Sequence, residues 1–560
     1  MFQFNGFTIV ILGIVFILVF SYLSYKQRLK YLMKRIKSNW GNQRQEFCKE
    51  EDIEFISNYF KSTKDDKNFF IDDITWNDLN MNDVFSMINN TQSSVGEEFL
   101  YDTLRKPVFN ELKLKEKDDI ISYFQENDIE REKIQFIIAK LGKNKEANVS
   151  DFFNKEYVKS KKIKLIYYRI LALIPIISIG MFFINKSWAV VGIVSIVFNS
   201  FLYFLNFKVK EYKVNGFNYI ASLIDCADKV RKINIKILNK HFKKVDDSID
   251  KIKSIKRGAF MLSSNYSMNE LDIITEYFKM FFLLDLIQFE KTNIIISKNN
   301  NALKDIYEFV GIIDSCIAIA SYRESLTYYT KPVFINSNQS KELDFMDIYH
   351  PLISDPVSNS CSIYKSVLIT GSNASGKSTF LRTVAINSIL AQTIYTCLAE
   401  EYKSSFFKTY TSMSIKDSLK SNDSYYIAEI KSLKRIIENI DNKIPCICFI
   451  DEILRGTNTV ERISASSEVL NYIASKNCIC ISATHDIELT NILHSTFENY
   501  HFQEYIEDDE ILFDYTLYEG KSETRNAIKL LSIMGYDSDV IARAEKRAKH
   551  FLDSGIWNEI

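Results

Sequence analysis

The fold class follows from nine consecutive residues, Gly371-Ser372-Asn373-Ala374-Ser375-Gly376-Lys377-Ser378-Thr379. They match the pattern G-x-x-x-x-G-K-[ST] at every required position. The apolar run Val367-Leu368-Ile369 precedes them, and apolar residues at helical spacing follow from Phe380 to Leu390. A glycine-rich loop between a strand and a helix lets backbone N–H groups close around anionic oxygens. We expect these residues to bind the phosphates of ATP, with Lys377 at the β and γ phosphates and the Ser378 hydroxyl on Mg²⁺.

Two acids at the end of a second apolar run supply the carboxylates that this chemistry needs. Ile447-Cys448-Phe449-Ile450 leads directly into Asp451 and Glu452. In nucleotide hydrolases of this type one carboxylate holds Mg²⁺ and another orients and activates the attacking water. We expect Asp451 to bind the metal together with Ser378, and Glu452 to act as the general base.

A third apolar run ends in a histidine. Ile479 to Ser482 is followed by Thr484-His485-Asp486. A lone histidine is usually structural, but the end of a strand in an α/β sheet is where ligands bind. The catalytic candidates are therefore Lys377, Glu452 and His485.

Short apolar runs alternate with helical segments from about Pro332 onward, which indicates an α/β sheet domain. The predicted strands are Ser366 to Thr370, Ile447 to Ile450, Cys478 to Ser482 and Ile511 to Leu517. Upstream, Tyr212 to Leu262 and Asn269 to Tyr328 read as long helices with few breakers.

The charge balance and the cysteine spacing bear on the partners, the metal content and the compartment of the protein. The chain has 70 Lys and Arg against 71 Asp and Glu, so no global positive field draws it to nucleic acid. Its nine cysteines show no C-x-x-C spacing. Four of them alternate within apolar runs, which indicates packing rather than metal binding and a reducing compartment.

The amino-terminal segment predicts a membrane anchor. Met1 to Tyr25 carries no charged residue, which is long enough to cross a bilayer as a helix. A basic cluster follows, made up of Lys26, Arg28, Lys30, Lys34, Arg35 and Lys37. A cleaved signal peptide is the alternative, but the basic start and the small-residue cleavage site are missing.

Two further uncharged runs predict a transmembrane hairpin. Ile170 to Asn185 and Ser187 to Phe207 are separated only by Lys186 and its neighbours. A buried hairpin of a soluble core is the alternative. Lysines flank both outer ends, so the positive-inside rule places these ends in the cytoplasm. The sequence therefore predicts three transmembrane helices in the cell membrane, a multi-pass topology and a cytoplasmic ATPase domain.

Several ordered segments resemble the MutS family of DNA mismatch-repair ATPases. The matching segments are Gly371 to Arg382, Asp451 to Thr457 (family pattern D-E-x-G-R-G-T, with Leu454 where glycine is usual), Ala483 to Thr490 (A-T-H-x-x-E-L-T), His350-Pro351, Tyr518 to Gly520 and Ile541 to Ala544. Upstream, Asn90 to Gly96 resembles the opening of the family's helical core. The resemblance covers about the last 210 residues most closely, with weaker matches upstream.

The resemblance implies an ABC-type P-loop ATPase domain, an all-α core and lever domain, and a homodimer in which each subunit completes the other's ATP site. Ser424 takes the place of the serine that the family supplies in trans, with Asn422 and Tyr425 as departures from the usual glycine and threonine. The family's mismatch-reading domain has no counterpart before the core, and little chain follows Phe551 for a helix-turn-helix module.

These features predict four segments: an anchor with its basic flank (1–37), a linker (38–72), a helical core and lever with a transmembrane hairpin at about 165–207 (73–331), and an ATPase domain (332–560). We expect a membrane-anchored ATPase that uses ATP and Mg²⁺ to move helical arms, with DNA or an unidentified protein as partner. The alternative is an ATP-switched scaffold without DNA binding. The basic stretch from Lys229 to Lys244 could contact phosphates, but a solvated face or a contact with anionic lipid is an equal alternative.

Overall fold

The computed structural model describes residues 6–43, 47–144, 149–153, 162–256, 277–335, 341–372, 375–413, 425–507, 510–522, 528, 531 and 534–557. The chain divides into two compact units. The first unit comprises Met1–Asn68, Phe85–Arg105 and Lys115–Ser325, and the second comprises Phe69–Val84, Lys106–Leu114 and Leu326–Ile560.

In the described residues up to 324, the regular secondary structure is helical. The helices are α1 (Gly6–Asn39), α2 (Glu50–Ile56), α3 (Asn58–Thr63), α4 (Asp73–Asp78), α5 (Met81–Ile88), α6 (Ser94–Arg105), α7 (Glu111–Glu126), α8 (Asp128–Leu141), α9 (Lys162–Phe182), α10 (Trp188–Leu205), α11 (Phe207–Arg231), α12 (Asn239–Ile252), α13 (Leu284–Lys298) and α14 (Asn300–Glu324). Two 3-10 turns, Ser150–Phe153 and Lys236–Leu238, lie between them.

Two of these helices are long and apolar enough to cross a membrane. In the described part of the chain, α9 (21 residues) and α10 (18 residues) meet that criterion of length and composition. The predicted span at the amino terminus lies in α1, which runs as one continuous helix of 34 residues. That third span stays a prediction.

A buried asparagine ties the α9–α10 pair to the start of α13. Asn199 on α10 is fully buried, and its Nδ2 donates to the carbonyls of Leu171 (3.2 Å) and Phe281 (2.8 Å). The hydroxyl of Tyr203 donates to Asp285 Oδ2 at 3.3 Å. The pair is therefore hydrogen-bonded to the segment that leads into α13.

The two long helices predicted after the hairpin are both interrupted. α11 ends at Arg231, because Asn234 adopts a left-handed backbone (φ 57°) before a 3-10 turn leads into α12. The second predicted helix breaks at Asn299, between α13 and α14. Residues 257–276, which belong to these predictions, lie outside the described part.

A carboxylate from α14 holds the start of α6. Asp314 accepts hydrogen bonds from Gln92 N (3.0 Å), Ser93 N (2.9 Å) and Ser93 Oγ (2.6 Å). A Cβ added to Gly96 would lie 2.1 Å from Asp314 Oδ2, so only glycine leaves room for this side chain. Burial raises the pKa of Asp314 to about 6, while these hydrogen bonds oppose the rise.

Strands appear only in the second unit of the described chain. They are β1 (Val333–Ile335), β2 (Leu343–Ile348), β3 (Asn359–Ile363), β4 (Ser366–Thr370), β5 (Glu401–Ser405), β6 (Lys408–Ser412), β7 (Cys446–Asp451), β8 (Cys478–Ala483), β9 (Phe497–His501), β10 (Glu504–Glu507), β11 (Glu510–Phe513) and β12 (Tyr518–Glu519). The helices here are α15 (Lys377–Ile394), α16 (Tyr425–Asn439), α17 (Thr459–Ala474), α18 (Ile487–Ile492) and α19 (Ser538–Ser554).

The main sheet has the strand order β12-β9-β4-β8-β7-β6. Its five strands from β9 to β6 are parallel, and β12 pairs antiparallel to β9. A second, mixed sheet has the order β1-β5-β2-β3, and β10 pairs with β11 as a hairpin. The mixed α/β sheets together with a helical region fit a MutS-like architecture.

Three of the four predicted strands lie in the main sheet, and the fourth is confirmed only over its first three residues, in β11. The predicted strand from Ile511 to Leu517 stops at Phe513, because Tyr515 turns with a left-handed backbone (φ 54°) before β12. The four alternating cysteines of β7 and β8 pair across the strands and are buried in the core between α16 and α17.

Residues assigned from sequence to the linker and the helical core pack in the second unit instead. α4 covers the edge strand β6: Asp78 accepts hydrogen bonds from Thr411 Oγ1 (2.7 Å) and Met413 N (3.0 Å). Covering an exposed sheet edge protects its backbone groups from pairing with another chain. In the first unit, the predicted linker forms α2 and α3 and buries Tyr59 and Phe60.

Candidate functional site

The strand order brings the three predicted site segments to one edge of the main sheet. β4, β8 and β7 are adjacent and parallel, so their carboxyl ends face the same side. The phosphate loop follows β4, Asp451 ends β7 and is followed by Glu452, and His485 comes just after β8. This edge is where ligands bind in open parallel sheets.

The phosphate loop depends on glycine at two positions. Gly371 has φ 144°, and a Cβ there would lie 2.7 Å from the carbonyl oxygen of Phe502. Gly376 has φ 108° and precedes α15, and its Cβ would lie 3.2 Å from the Tyr515 ring. A larger residue would push the loop away from Phe502, just after β9, at the first position and from Tyr515, between β11 and β12, at the second.

Lys377 folds back into its own loop. Its Nζ donates to the carbonyls of Gly371 (2.8 Å) and Ser372 (2.6 Å), and the side chain is buried. Burial lowers the pKa of Lys377, and the nearby carboxylates Asp451, Glu452 and Glu504 oppose that shift. Its ammonium group is thus placed for anionic oxygens in the loop.

The side chain of Asp451 presents an open oxygen. Its Oδ1 is buried and has no hydrogen-bond partner within the described chain. Burial raises the pKa of this carboxyl, while a hydrogen bond from Ser378 lowers it. A buried oxygen beside a serine hydroxyl fits the oxygen ligands that Mg²⁺ takes from protein and phosphate.

The carboxylate of Glu452 contacts one basic side chain at each of its two oxygens. His485 Nε2 lies 3.0 Å from its Oε1, and Arg455 lies 2.9 Å from its Oε2. Its backbone N–H donates to the Ala483 carbonyl at 3.0 Å. The hydrogen bond from His485 lowers the pKa of Glu452, which keeps the carboxylate ionised. An ionised, oriented carboxylate is what a water-activating group requires.

The loop that carries His485 is fixed by a bidentate ion pair. Arg462 on α17 reaches both oxygens of Asp486, at 2.9 and 2.6 Å. Two parallel charged hydrogen bonds restrict orientation as well as distance. Because His485 directly precedes Asp486, this ion pair also restricts the position from which His485 contacts Glu452.

Glu429 is a site residue that sequence reasoning missed. Both Glu452 (φ 54°) and Leu454 (φ 55°) have left-handed backbone, so the turn after β7 is strained. Glu429 on α16 accepts a hydrogen bond from Leu454 N, and burial raises its pKa. The available signal was the resemblance of Tyr426 to Ile430 to F-M-V-E-M, the pattern that follows the trans serine in the MutS family and whose glutamate falls at Glu429.

Glu504 is a second acid missed from the sequence. It is nearly buried on β10, and its Oε2 accepts a hydrogen bond from Ser372 Oγ at 2.7 Å. It therefore adds a negative charge beside the phosphate loop. Nothing in the local sequence signals this contact, because the two residues lie 132 positions apart.

A cavity of about 510 Å³ adjoins the phosphate loop. Its lining includes the polar residues Lys377, Ser378 and Glu452 together with a set of apolar residues. The apolar lining comprises Ile353, Pro356, Val357, Phe502 and Tyr515. Its volume and its mixed polar and apolar lining suit a nucleotide, whose phosphates would face the loop and whose base would face the apolar residues.

His350 lines the same cavity in a neutral form. Burial and the nearby Arg382 lower its pKa to about 4. Its Nδ1 accepts a hydrogen bond from Leu352 N at 3.1 Å. Three other predicted site residues, Asn373, Ala374 and Ser424, lie outside the described part of the chain.

The basic stretch from Lys229 to Lys244 is largely neutralised by acids of the first unit. Its ion pairs join Lys229 to Asp225, Arg231 to Asp228 and Asp246, Lys232 to Asp228, Lys240 to Glu116, and Lys244 to Asp305. Cations that are already paired release fewer counterions on binding a polyanion. This stretch is therefore a weak candidate for a DNA-contacting surface.

Comparison with known proteins identifies the region that carries this site. The family described as MutS domain V matches residues 367–552. The chain is 28% identical to human MutS protein homolog 4 over 270 residues, 45% of this chain and 28% of that protein. It is 30% identical to the DNA mismatch repair protein MutS of Pseudothermotoga lettingae over 264 residues, 45% of this chain and 32% of that protein. The Clostridium botulinum (strain Okra / Type B1) protein of the same name is 26% identical over 374 residues, 61% of this chain and 39% of that protein. The chain thus spans well under half the length of these relatives.

Proposed function

Because residues 367–552 match MutS domain V, we propose that this chain is a membrane-anchored ATPase of the MutS family that hydrolyses ATP with Mg²⁺ and couples the cycle to its helices. The observation that carries the proposal is the meeting of Lys377, Asp451, Glu452 and His485 at one sheet edge. ATP would occupy the adjoining cavity of about 510 Å³.

In this proposal each residue has a separate task. Lys377 would turn from the loop carbonyls to phosphate oxygens, and Ser378 and Asp451 would hold Mg²⁺, which would neutralise charge on the phosphates. Glu452 orients the water and accepts its proton, and His485 holds Glu452 in position. Glu429 stabilises the turn that carries Glu452 and Leu454.

Replacement of Glu452 tests the assignment. We expect Glu452→Gln to retain ATP binding and to lower turnover by about two orders of magnitude or more, since general-base groups contribute about that much. The matched control is Glu468→Gln, which removes an exposed carboxylate from α17. Turnover that is unchanged in Glu452→Gln would remove this residue from the mechanism.

Membrane anchoring rests on the hairpin and on α1. Only 22% and 11% of the most apolar 18 residues of α9 and α10 are buried, which suits helices that face lipid better than core helices. We expect the full chain to stay with membranes after alkaline carbonate washing. Lys186→Cys in the hairpin turn is expected to react with an impermeant thiol reagent from outside the cell, and labelling only after lysis would reverse the topology.

The partner we propose is a second copy of the chain, with Ser424 completing the opposite ATP site. Glu452→Gln with ATP is expected to elute as a dimer, and wild type with ADP as a smaller species. Two of the relatives are named as DNA mismatch repair proteins, so DNA binding is a second candidate. Salt-sensitive retardation of duplex or branched DNA would support it, and ATP-dependent dimerisation without any retardation favours the scaffold alternative.

A further inference from the structure

A large groove in the first unit lies beside α1, at the point where the uncharged segment ends. Its volume is about 1200 Å³. One wall is α1, which contributes Tyr25, Arg28, Leu32, Arg35 and Asn39. These positions recur at spacings of three and four, so they form one face of the helix. The rest of the lining includes residues 42 and 43, 89–92, 139, 140, 142 and 143.

The groove is lined by cations and by neutral polar groups. Arg28, Arg35, Lys140 and Lys143 all line it, and none of its lining residues is acidic. Lys143 is paired with Glu97 at 3.0 Å. The other three have no ion pair to a carboxylate within the described residues, and Lys140 Nζ lies 4.2 Å from the ring of Phe136.

Uncompensated positive charge in a concave site selects an anion. Cations inside a groove act together, because low-dielectric walls concentrate their field. Arginine is suited to phosphate because its planar guanidinium can donate two parallel hydrogen bonds. Asn39, Asn42 and Gln43 add neutral groups that can bond to hydroxyls or ester oxygens.

The place of the groove along α1 indicates where that anion comes from. Arg28 lies three residues beyond Tyr25, which is about 5 Å along a helix, and Arg35 lies about 15 Å beyond it. The polar layer on each side of a bilayer is roughly 5 to 8 Å thick. Arg28 thus lies at headgroup depth, and Arg35 lies below it.

We propose that this groove binds the phosphate headgroup of an acidic phospholipid of the cytoplasmic leaflet. One side of the same groove is apolar and is formed by Tyr25, Leu29 and Leu32. The acyl chains of the bound lipid would pass along this side toward the bilayer. The proposal rests on α1 as a membrane anchor, as proposed above, and is independent of ATP hydrolysis.

The test uses the full chain in neutral detergent with dioctanoyl-phosphatidylglycerol as the probe, read by native mass spectrometry. Arg28→Gln/Arg35→Gln is expected to weaken binding about thirtyfold, since each basic residue near an anionic lipid contributes roughly a factor of five. The matched control is Lys26→Gln/Lys30→Gln, which removes two exposed charges from the opposite face of the same helix. The control is expected to bind within twofold of wild type.

Further probes separate the sources of the anion. Dioctanoyl-phosphatidylcholine is expected to bind at least tenfold more weakly than the acidic lipid. Glycerol 3-phosphate that binds as tightly as the lipid would make the ligand a free phosphate, and displacement by a short oligonucleotide would make it a nucleic acid. If both double variants lost the same factor in lipid affinity, the binding would reflect the overall charge of α1, and the proposal of a specific site in the groove would be refuted. ATP turnover by Arg28→Gln/Arg35→Gln is expected to match wild type, so failure here is distinct from failure of the ATPase proposal.

Discussion

Gly96→Ala is expected to unlock the start of α6, because its new methyl group would occupy the place of Asp314. The added Cβ would lie 2.1 Å from Asp314 Oδ2, whereas real Cβ contacts stay above 3.0 Å. The carboxylate must therefore retreat by about 1 Å. Its hydrogen bonds to Gln92 and Ser93, now 2.6 to 3.1 Å, would stretch beyond 3.5 Å.

The size of the effect follows from the bonds that are lost. A hydrogen bond to a charged group contributes about 1.5 to 3 kcal/mol, and at least two would be lost to a buried carboxylate. Alanine is favoured over glycine inside a helix by about 1 kcal/mol, which offsets part of the loss. We expect Gly96→Ala to lower the local stability of α6 by about 2 to 5 kcal/mol.

Native-state hydrogen exchange measures this quantity, because it reports the opening free energy of individual helices in a chain with several units. The matched control is Gly180→Ala, also inside a helix, where the added Cβ meets no atom within 4 Å. An Asp314→Gly background removes all three side-chain atoms that the new Cβ would meet (Oδ2, Cγ and Cβ), so Gly96→Ala should there stabilise α6 by up to about 1 kcal/mol. The same cost in both backgrounds would refute the steric explanation.

Three more substitutions test other sites. Leu454→Gly relieves about 1 to 2 kcal/mol of left-handed backbone strain but removes a buried side chain that contributes about 3 kcal/mol or more. The midpoint temperature of the melting transition that responds to nucleotide should therefore fall. A rise in that temperature would show that the strain dominates. Glu504→Gln keeps an acceptor for Ser372 and removes a charge beside the phosphate loop, so the affinity for fluorescent ATP and ADP analogues should rise several-fold, and unchanged affinity would contradict the argument. Burial raises the pKa of Glu98 to about 8 from an ordinary value of 4.5. The folded protein therefore holds a proton that the unfolded chain releases, and the free energy of unfolding should fall as pH rises from about 4.5 to 8. Glu98→Gln should flatten this pH dependence in melting curves, and an unchanged slope would contradict the argument.

The sequence predicts the site better than it predicts what supports the site. The phosphate loop, Asp451, Glu452 and His485 each follow an apolar run, and parallel pairing brings such ends together. Their contacts with one another were therefore predictable from order and spacing alone.

The supporting contacts join residues that are far apart in the chain. Asp314 meets Ser93 across 221 positions, and Thr411 meets Asp78 across 333. Neither pair leaves a local pattern, because each partner alone is an ordinary polar residue. The backbone at Leu454 was unpredictable for another reason: a residue that disfavours φ > 0 is held there by Glu429 on a different helix.

The hydrogen bonds of Asn199 fix the depth of the segment that precedes α13. Asn199 lies six residues before the end of α10 at Leu205, which is about 9 Å along the helix axis. In the proposed topology, the carbonyl of Phe281 would lie at that same depth, inside the hydrocarbon layer. Any displacement of α13 would then either carry the hairpin with it or expose an amide to lipid, at a cost of several kcal/mol. The bilayer would thus hold the amino-terminal end of α13 at a fixed depth, and movement of this helix would be limited to rotation about that end.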